Sequence, residues 1–299
     1  MILFAFDAWK KMAEVLGKAG LASGGFRAAQ FENGEWHIEI GTPVRGQECL
    51  VLGSIAPPDG QMLSTLLLGH TLKKEGAREV RAVLPYLGYA RHDRDKPGES
   101  LATAWSGAIV QASGIDSVVT VDVHSEYCSR LFPVPLISLS PAETFARAFA
   151  RFGLRDATIV APDEGAITRC EAVKKAAGSV QATIPFFRKQ RTAAGILHTG
   201  LIGAVGRKVV IVDDILDTGG TLVSACEKLR EGGAEEIDVM VTHGLFTGER
   251  WRKLWGLGVR RIFCTDSVPI PAGVQDARIE QLSVVPLLEQ QLCQPVLSG

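Results

Sequence analysis

One segment in the second half of the chain constrains the fold more than any other: VVIVDDILDTGGTL, residues 209–222. Its four consecutive apolar residues indicate a strand buried on both faces, because a strand with one solvated face would alternate apolar and polar residues. Two acids, a short loop with two glycines and a helix-like run follow directly. A buried strand that leads through a glycine loop into a helix is typical of parallel α/β sheets.

The rest of the chain alternates strands and helices as such a sheet requires. We predict strands at residues 2–6, 49–54, 80–84, 117–123, 158–161, 208–212 and 237–242. We predict helices at residues 9–17, 61–75, 101–112, 142–152, 164–177 and 221–231. Long polar loops are expected at residues 86–100 and 187–198. This order favours α/β architecture with parallel sheets and right-handed crossovers.

Length and composition predict two globular domains. A chain of 299 residues exceeds a typical single domain, and 46% hydrophobic with 22% charged residues is enough to fill two cores. Three prolines between residues 133 and 141 mark the expected boundary.

The same numbers exclude several classes of protein. A formal net charge of −1 argues against a general nucleic-acid binder, which needs a basic surface to displace counterions from phosphates. No segment approaches the ~20 apolar residues of a membrane span, and the first residues do not read as a signal peptide. The six cysteines are scattered and include no C-x-x-C pair. We therefore expect reduced thiols in a cytoplasmic protein that binds neither nucleic acid nor membrane.

The glycine loop has the chemistry of a phosphate site. Gly219 and Gly220 allow backbone N–H groups to turn inward, and Thr218 and Thr221 add hydroxyl donors. The start of the following helix contributes partial positive charge. These residues predict a site for a phosphate monoester.

The acids before the loop suit a sugar or a cation. Asp213 and Asp214 can accept hydrogen bonds from ribose hydroxyls, directly or through magnesium. The alternative is a plain strand–turn–helix with Asp217 as an N-cap and two surface acids. Paired acids behind a buried strand are electrostatically unfavourable unless a ligand uses them, which favours the binding site.

Residues 209–222 resemble the loop shared by phosphoribosyltransferases and ribose-phosphate diphosphokinases, and further motifs resemble the diphosphokinases alone. These motifs are FENGE (31–35), PYLGYARHDR (85–94), TVDVHS (120–125) and APDEGA (161–166). The resemblance runs from ILFA (2–5) to CTDSVP (264–269). It implies two tandem type I phosphoribosyltransferase-like domains, residues 1–140 and 141–284. The last helix, within residues 285–299, would join the first domain.

The resemblance also implies an ATP site in the first domain, and that site is shared between subunits of a homo-oligomer. Its predicted residues are Phe31, Asn33, Glu35, Arg91, His92 and Asp93. Phe31 would stack on adenine, while Asn33 and Glu35 would bind the base edge from a neighbouring subunit. Arg91 suits the ATP phosphates as a permanent planar cation. On the residues alone, Asn33–Gly34 could be only a hairpin turn, and the second motif only a solvated loop.

Magnesium and catalytic residues follow from the same likeness. His124 and Asp163 would hold the Mg²⁺ of Mg-ATP. The segment FFRKQRT (186–192) takes the place of the family's mobile catalytic loop. Lys189 and Arg191 would there neutralise charge on the transferred group. Arg188 could share this role, and a merely solvated basic loop is the alternative.

The predicted function is therefore enzymatic: pyrophosphoryl transfer from Mg-ATP to the 1-hydroxyl of ribose 5-phosphate, which yields phosphoribosyl pyrophosphate and AMP. Two alternatives remain open. One is a phosphoribosyltransferase that consumes phosphoribosyl pyrophosphate, and the other is a non-catalytic regulatory homologue of the synthetase. Dimeric, tetrameric and hexameric assemblies are all compatible with the sequence.

Overall fold

The computed structural model describes residues 1–192 and 195–293, with the backbone alone at residues 189–192 and 195–199. Two compact units make up this structure. The first comprises Met1–Leu139 and the C-terminal segment that begins at Val285, and the second comprises Ser140–Val284. Each unit contains a parallel sheet flanked by helices. The predicted α/β fold class with mainly parallel sheets is confirmed.

All seven predicted strands are present, among the fifteen strands that the described residues form. They are β1 (Ile2–Ala5), β2 (Ala22–Ser23), β3 (Phe26–Gln30), β4 (Trp36–Ile40), β5 (Glu48–Leu52), β6 (Glu79–Leu84), β7 (Ser117–Val121), β8 (Leu136–Leu139), β9 (Thr158–Val160), β10 (Phe186–Thr192), β11 (Gly195–Ile202), β12 (Lys208–Leu216), β13 (Glu236–Gly244), β14 (Val259–Thr265) and β15 (Ile279–Leu282).

The helices separate most of these strands. They are α1 (Lys10–Lys18), α2 (Asp59–Lys74), α3 (Ala102–Ala112), α4 (Cys128–Leu131), α5 (Ala142–Arg151), α6 (Ile167–Ala176), α7 (Gly220–Glu231), α8 (Lys253–Gly256) and α9 (Val285–Cys293). Helix α9 packs against α1 and so belongs to the first unit. Within the described residues, none of the helices combines the length and apolar character that crossing a membrane requires.

Each unit has its own sheet. Among the described residues, the first unit has six parallel strands in the order β2-β1-β5-β6-β7-β8. The second unit has five parallel strands in the order β15-β14-β13-β12-β9. Two antiparallel hairpins, β3–β4 and β10–β11, lie outside these sheets. The carboxyl ends of parallel strands share one edge, so the loops after β12 and β13 meet there.

Strand β12 shows why the apolar run does not alternate. Val209 and Ile211 belong to the core on one face of the sheet, together with residues of α7 and α8. Val210 and Val212 belong to the core on the other face, together with residues of α5 and α6. Successive side chains of a strand point to opposite faces, so a strand covered on both sides must be apolar at every position.

A predicted loop and the predicted end of a strand differ from the structure. Residues 187–198 were expected to form a polar loop, but the backbone of residues 187–192 and 195–198 lies in the strands β10 and β11. In this hairpin Phe186 pairs with Ile202 and Thr192 with Gly195. Polar side chains hid this hairpin, because strand pairing uses backbone groups and needs no apolar pattern when a hairpin is not covered on both faces. Strand β12 is also longer than predicted and ends at Leu216 rather than residue 212.

Candidate active site

The turn between β12 and α7 is shaped by a glycine that no other residue can replace without strain. Gly219 has a φ of 84°, in the left-handed region that favours glycine. A β-carbon at this position would lie 2.7 Å from Cα and 2.8 Å from Cβ of the buried Trp251. Helix α7 begins at Gly220 with no side-chain cap. Its first N–H groups are thus suited to an anionic ligand.

The residues after β13 wrap around this turn. The N–H groups of Leu245 and Phe246 donate to the Leu216 carbonyl at 2.8 and 3.1 Å. The N–H of Thr247 donates to the Asp217 carbonyl at 3.1 Å. Thr218 is exposed, whereas Asp217 and Thr221 are partly buried. The predicted phosphate residues are therefore together in one turn, which a neighbouring segment of the same unit braces.

A cluster of carboxyl groups lies beside the turn. Asp214 is buried, and Asp213 is enclosed by protein although part of its surface stays accessible. Burial of Asp213, reinforced by the negative charge of Asp214, raises the pKa of the Asp213 carboxyl well above its ordinary value. Asp163 acts in the same direction, and Arg169 opposes it. The sequence-predicted metal residue Asp163 and the sugar residue Asp213 thus lie within electrostatic reach of each other.

Asp163 is placed by the start of the next helical segment. Its Oδ1 accepts a hydrogen bond from the N–H of Ala166 at 3.3 Å, so it caps the short 3-10 helix that leads into α6. Further along, the Cys170 thiol donates to the Val212 carbonyl at 3.5 Å. This contact fastens α6 to β12 next to the acids. Asp163 belongs to the second unit. The other predicted metal residue, His124, belongs to the first unit and is exposed.

The motif at residues 31–35 forms the tip of the β3–β4 hairpin. The N–H of Phe31 donates to the Glu35 carbonyl at 2.9 Å, and the N–H of Glu35 donates to Oδ1 of Asn33 at 3.1 Å. Gly34 has a φ of 87°. The Phe31 ring is 57% exposed and contacts His37, with the ring centroids 5.5 Å apart. The hairpin turn inferred from Asn33–Gly34 is present, and its aromatic residue faces solvent.

The loop after β6 is held by a threonine of α3. The Thr103 hydroxyl lies 3.0 Å from the carbonyls of both Tyr89 and His92, and the Thr103 N–H donates to His92 at 3.2 Å. Arg91 and His92 are exposed. The loop is therefore anchored through its backbone, while two of the predicted ATP residues project from it.

Asp93 differs from its neighbours because it is buried, with 6% of its surface exposed. It accepts a hydrogen bond from the Ser125 hydroxyl, which in turn accepts from the N–H of Tyr127 at 3.2 Å. Asp93 thus links the loop after β6 to the loop after β7, where His124 lies next to Ser125. Asp93, which the sequence predicts as an ATP-binding residue, thus has one carboxylate oxygen bonded to Ser125.

Lys189 and Arg191 lie on β10, where their backbones pair with His198 and Ile196. The register of the hairpin shifts between Arg188 and Lys189. Their side chains lie outside the described part of the structure. The two residues are therefore placed on the hairpin by their backbone only.

Sequence reasoning missed several residues that shape the site. Arg169 and Trp251 lie in no motif, and Ser125 ends TVDVHS (120–125) without an assigned role. Their relevance appears only through partners distant in sequence. A buried polar cluster at the ends of β13 and β14 was also missed, in which Nδ1 of His243 lies 2.8 Å from the Ser267 hydroxyl. One signal was available: HGLFTGER (243–250) follows a predicted strand, and parallel strands end at the edge where ligands bind.

The fold and the turn together define a class: an α/β protein of two parallel-sheet units, one of which carries an acid- and glycine-containing turn suited to a phosphate. Comparison with known proteins identifies the family within this class. Residues 1–114 match the model of the N-terminal domain of ribose phosphate pyrophosphokinase, and residues 156–293 match the phosphoribosyl synthetase-associated domain. The chain belongs to the ribose-phosphate pyrophosphokinase family.

Whole-length relatives agree with these matches. The chain is 32% identical over 288 residues to a ribose-phosphate pyrophosphokinase of Caldanaerobacter subterraneus subsp. tengcongensis, covering 95% of this chain and 90% of the relative. It is 30% identical over 295 residues to one from Bacillus caldolyticus, covering 97% and 93%. The crystal structure of phosphoribosylpyrophosphate synthetase from Mycobacterium smegmatis superposes with a TM-score of 0.86 at 27% identity, covering 97% of this chain and 96% of that one.

Proposed function

We propose that this chain transfers the pyrophosphoryl group of Mg-ATP to the 1-hydroxyl of ribose 5-phosphate, forming phosphoribosyl pyrophosphate and AMP. The observation that carries the proposal is the uncapped, glycine-shaped turn of residues 217–220 beside Asp213 and Asp214, in a chain of the ribose-phosphate pyrophosphokinase family. A phosphate is held by the N–H groups of such a turn. Adjacent carboxylates accept hydrogen bonds from the sugar hydroxyls.

In this reaction the oxygen on C1 of ribose 5-phosphate attacks the β-phosphorus of ATP. The bond from the β-phosphorus to the oxygen that bridges it to the α-phosphorus breaks, and AMP leaves with that oxygen. Negative charge grows on the leaving oxygen and spreads over the transferred group. Cations placed where this charge develops lower the barrier. We assign this role to Lys189 and Arg191 on the β10–β11 hairpin, with Arg188 as a possible third participant.

A magnesium ion bound with ATP would supply positive charge beside the transferred phosphates. The crowded carboxyl groups of Asp163, Asp213 and Asp214 fit such a cation, because Mg²⁺ prefers carboxylate oxygens and a nearby cation relieves their repulsion. Burial is the main reason that the pKa of Asp213 is raised, and the repulsion from Asp214 adds to it. Of the predicted pair His124 and Asp163, the carboxylate is thus the better-supported ligand.

For the ATP site we propose roles for the exposed residues of the first unit. Phe31 at the hairpin tip would stack on the adenine of ATP bound to a neighbouring subunit. Asn33 and Glu35 would contact the edge of the same base. Arg91 and His92 would contact the nucleotide from the loop after β6. Asp93 would serve the same site indirectly, since its bond to Ser125 holds the two loops together. This arrangement requires a homo-oligomer. Separately, the free thiols of the six cysteines support a cytoplasmic protein, because disulfides are rare in that compartment.

The reaction is tested with ATP labelled at either the α- or the γ-phosphate. In a mixture of protein, Mg²⁺, ATP and ribose 5-phosphate, we expect the α-label in AMP and the γ-label in phosphoribosyl pyrophosphate, in equal amounts. Omission of ribose 5-phosphate should abolish AMP formation. Absence of AMP across a range of magnesium and phosphate concentrations would contradict the proposal.

The alternatives predict different products. A phosphoribosyltransferase would release pyrophosphate from phosphoribosyl pyrophosphate when a nucleobase is added, without ATP. A regulatory homologue would form no AMP by itself and would raise the activity of an added synthetase. The family matches favour neither alternative, because they cover the first unit as well as the second.

A further inference from the structure

The turn at residues 217–220 has a cation beside it that no motif suggested. Arg250 lies on the 3-10 helix Arg250–Arg252, which follows β13. Its Cζ and one terminal nitrogen lie 3.5 Å from the position that a β-carbon on Gly220 would occupy. The guanidinium therefore sits over the first residue of α7, at the end of the helix where N–H groups point outward.

Arg250 is exposed. Among the described side chains, no carboxylate forms an ion pair with Arg250. Arg252, two residues on, is committed: it pairs with Glu249 and stacks on the Trp251 ring, with Cζ 4.6 Å from the centroid. An unpaired cation against the positive end of a helix dipole is unfavourable in the absence of an anion. The position suits a bound phosphate.

The backbone around Arg250 fixes its place. The N–H of Thr247 donates to Asp217, and the Trp251 side chain packs against Gly219. The indole N–H of Trp251 donates to the Gly248 carbonyl at 3.0 Å. The 3-10 helix and the turn are thus one braced assembly, so the stem of Arg250 starts from a fixed point a few ångströms from the helix start.

We infer that Arg250 is a phosphate-binding residue of this chain, which clamps the 5-phosphate of ribose 5-phosphate against the N–H groups of the turn. This inference rests on the proposed function and adds a residue that sets affinity for the phosphorylated end of the sugar. A planar guanidinium can donate two hydrogen bonds to one phosphate. It lies at the phosphate end of the site, so it contributes to substrate binding and not to the transfer step.

The test compares Arg250→Met with Arg252→Met, a matched loss of charge from the same 3-10 helix. Binding of ribose 5-phosphate is measured by calorimetry without ATP, and turnover is measured separately. We expect Arg250→Met to weaken binding roughly 10- to 100-fold, the usual worth of a hydrogen bond to a charged group. Arg252→Met should change it less than about threefold. Arg250→Lys should recover part of the loss, since it restores charge without the planar fork.

The two hypotheses fail in different ways. If Arg250→Met binds ribose 5-phosphate as tightly as the unmodified protein, or if Arg252→Met loses as much, the role of Arg250 is overturned whatever the activity. If the unmodified protein forms no AMP, the proposed function fails instead. In the turnover assay, the Arg250→Met change should appear in KM for ribose 5-phosphate. The KM for ATP and kcat at saturation should stay near those of the unmodified protein.

Discussion

Gly219 has both a left-handed backbone conformation and a tight contact with Trp251. Each of these would separately destabilise a variant with a β-carbon at this position. Its φ of 84° disfavours any residue with a β-carbon, and Trp251 occupies the space that a β-carbon would need. Gly233, at the other end of α7, has a φ of 90° but nothing within 4 Å of the same position. Comparing substitutions at Gly219 and Gly233 therefore separates the effect of backbone strain from the effect of steric conflict.

We predict that Gly219→Ala destabilises the protein more than Gly233→Ala. Both variants carry the left-handed penalty of about 1–2 kcal/mol, and the clash with Trp251 adds on the order of 1–3 kcal/mol in the first. Urea unfolding of both variants measures the difference in free energy of unfolding. Gly219→Ala should also lose ribose 5-phosphate binding, since the turn must open. Equal destabilisation of the two variants would show that the contact with Trp251 does not matter.

Asp213 makes stability depend on pH in a direction unusual for an aspartate. Its pKa is raised by burial and by Asp214, so the folded protein holds the proton more tightly than the unfolded chain does. That contribution to stability is complete below the ordinary pKa of an aspartate, 3.8, and is lost as the pH rises through the folded-state value.

We predict that Asp213→Asn is more stable than the unmodified protein at neutral pH, by on the order of 1 kcal/mol, when no ligand or magnesium is present. The difference should vanish near the ordinary aspartate pKa. Asp156→Asn is the comparator of opposite sign, because its hydrogen bond to Lys208 lowers the pKa of Asp156. Urea unfolding at several pH values checks both. A loss of stability in Asp213→Asn at neutral pH would contradict the electrostatic account.

At the scale of elements, a part-buried bond between Asp93 and Ser125 helps to join the loops after β6 and β7. Asp93 and Ser125 are 32 positions apart in the chain. They lie in the loops that follow β6 and β7, which are neighbouring parallel strands. In the sequence, Asp93 directly follows the exposed Arg91 and His92, and Ser125 directly follows the exposed His124. Removing one partner leaves a buried polar group unsatisfied, which costs more than the bond itself contributes.

We predict that Asp93→Ala and Ser125→Ala each destabilise the protein, and that the double variant is less unstable than the sum. The expected coupling is about 1–2 kcal/mol, in the range for residues in direct contact. Urea unfolding of the four proteins of this cycle measures it. Strict additivity would mean that the two side chains act separately.

The β10–β11 hairpin carries the residues assigned to the transfer step. We predict that Lys189→Ala lowers kcat by at least about 100-fold, the scale seen when one group that stabilises transition-state charge is removed. Ribose 5-phosphate binding, measured by calorimetry, should stay unchanged. Arg188→Ala, on the other side of the register shift of the hairpin, measures whether Arg188 shares this role. A rate unaffected by Lys189→Ala would remove that residue from the mechanism.

At the scale of the whole molecule, the proposed ATP site requires more than one chain. We predict that Phe31→Ala and Arg91→Ala are each nearly inactive alone but regain activity when dissociated, mixed and reassembled. In a random two-subunit mixture about a quarter of the sites would combine an intact Phe31 with an intact Arg91. AMP formation measures the recovery. No recovery by mixed assemblies would place both residues in the same subunit's site or in none.

The amino-acid sequence by itself determined the alternation of the main strands and helices, the parallel α/β class and the turn after β12. These depend on local pattern: a strand covered on both faces is apolar throughout, and a left-handed turn selects glycine. The Asn33–Gly34 turn was likewise legible in a few residues.

Only the tertiary structure decided which distant side chains meet. The hairpin at residues 186–202 was hidden because backbone pairing needs no apolar pattern. The burial of Asp93 against Ser125, the closeness of Asp163 and Arg169 to Asp213, and the position of Arg250 over α7 all depend on sheet register. Register places the ends of β6 and β7, or of β12 and β13, side by side, and no local stretch of sequence contains that information.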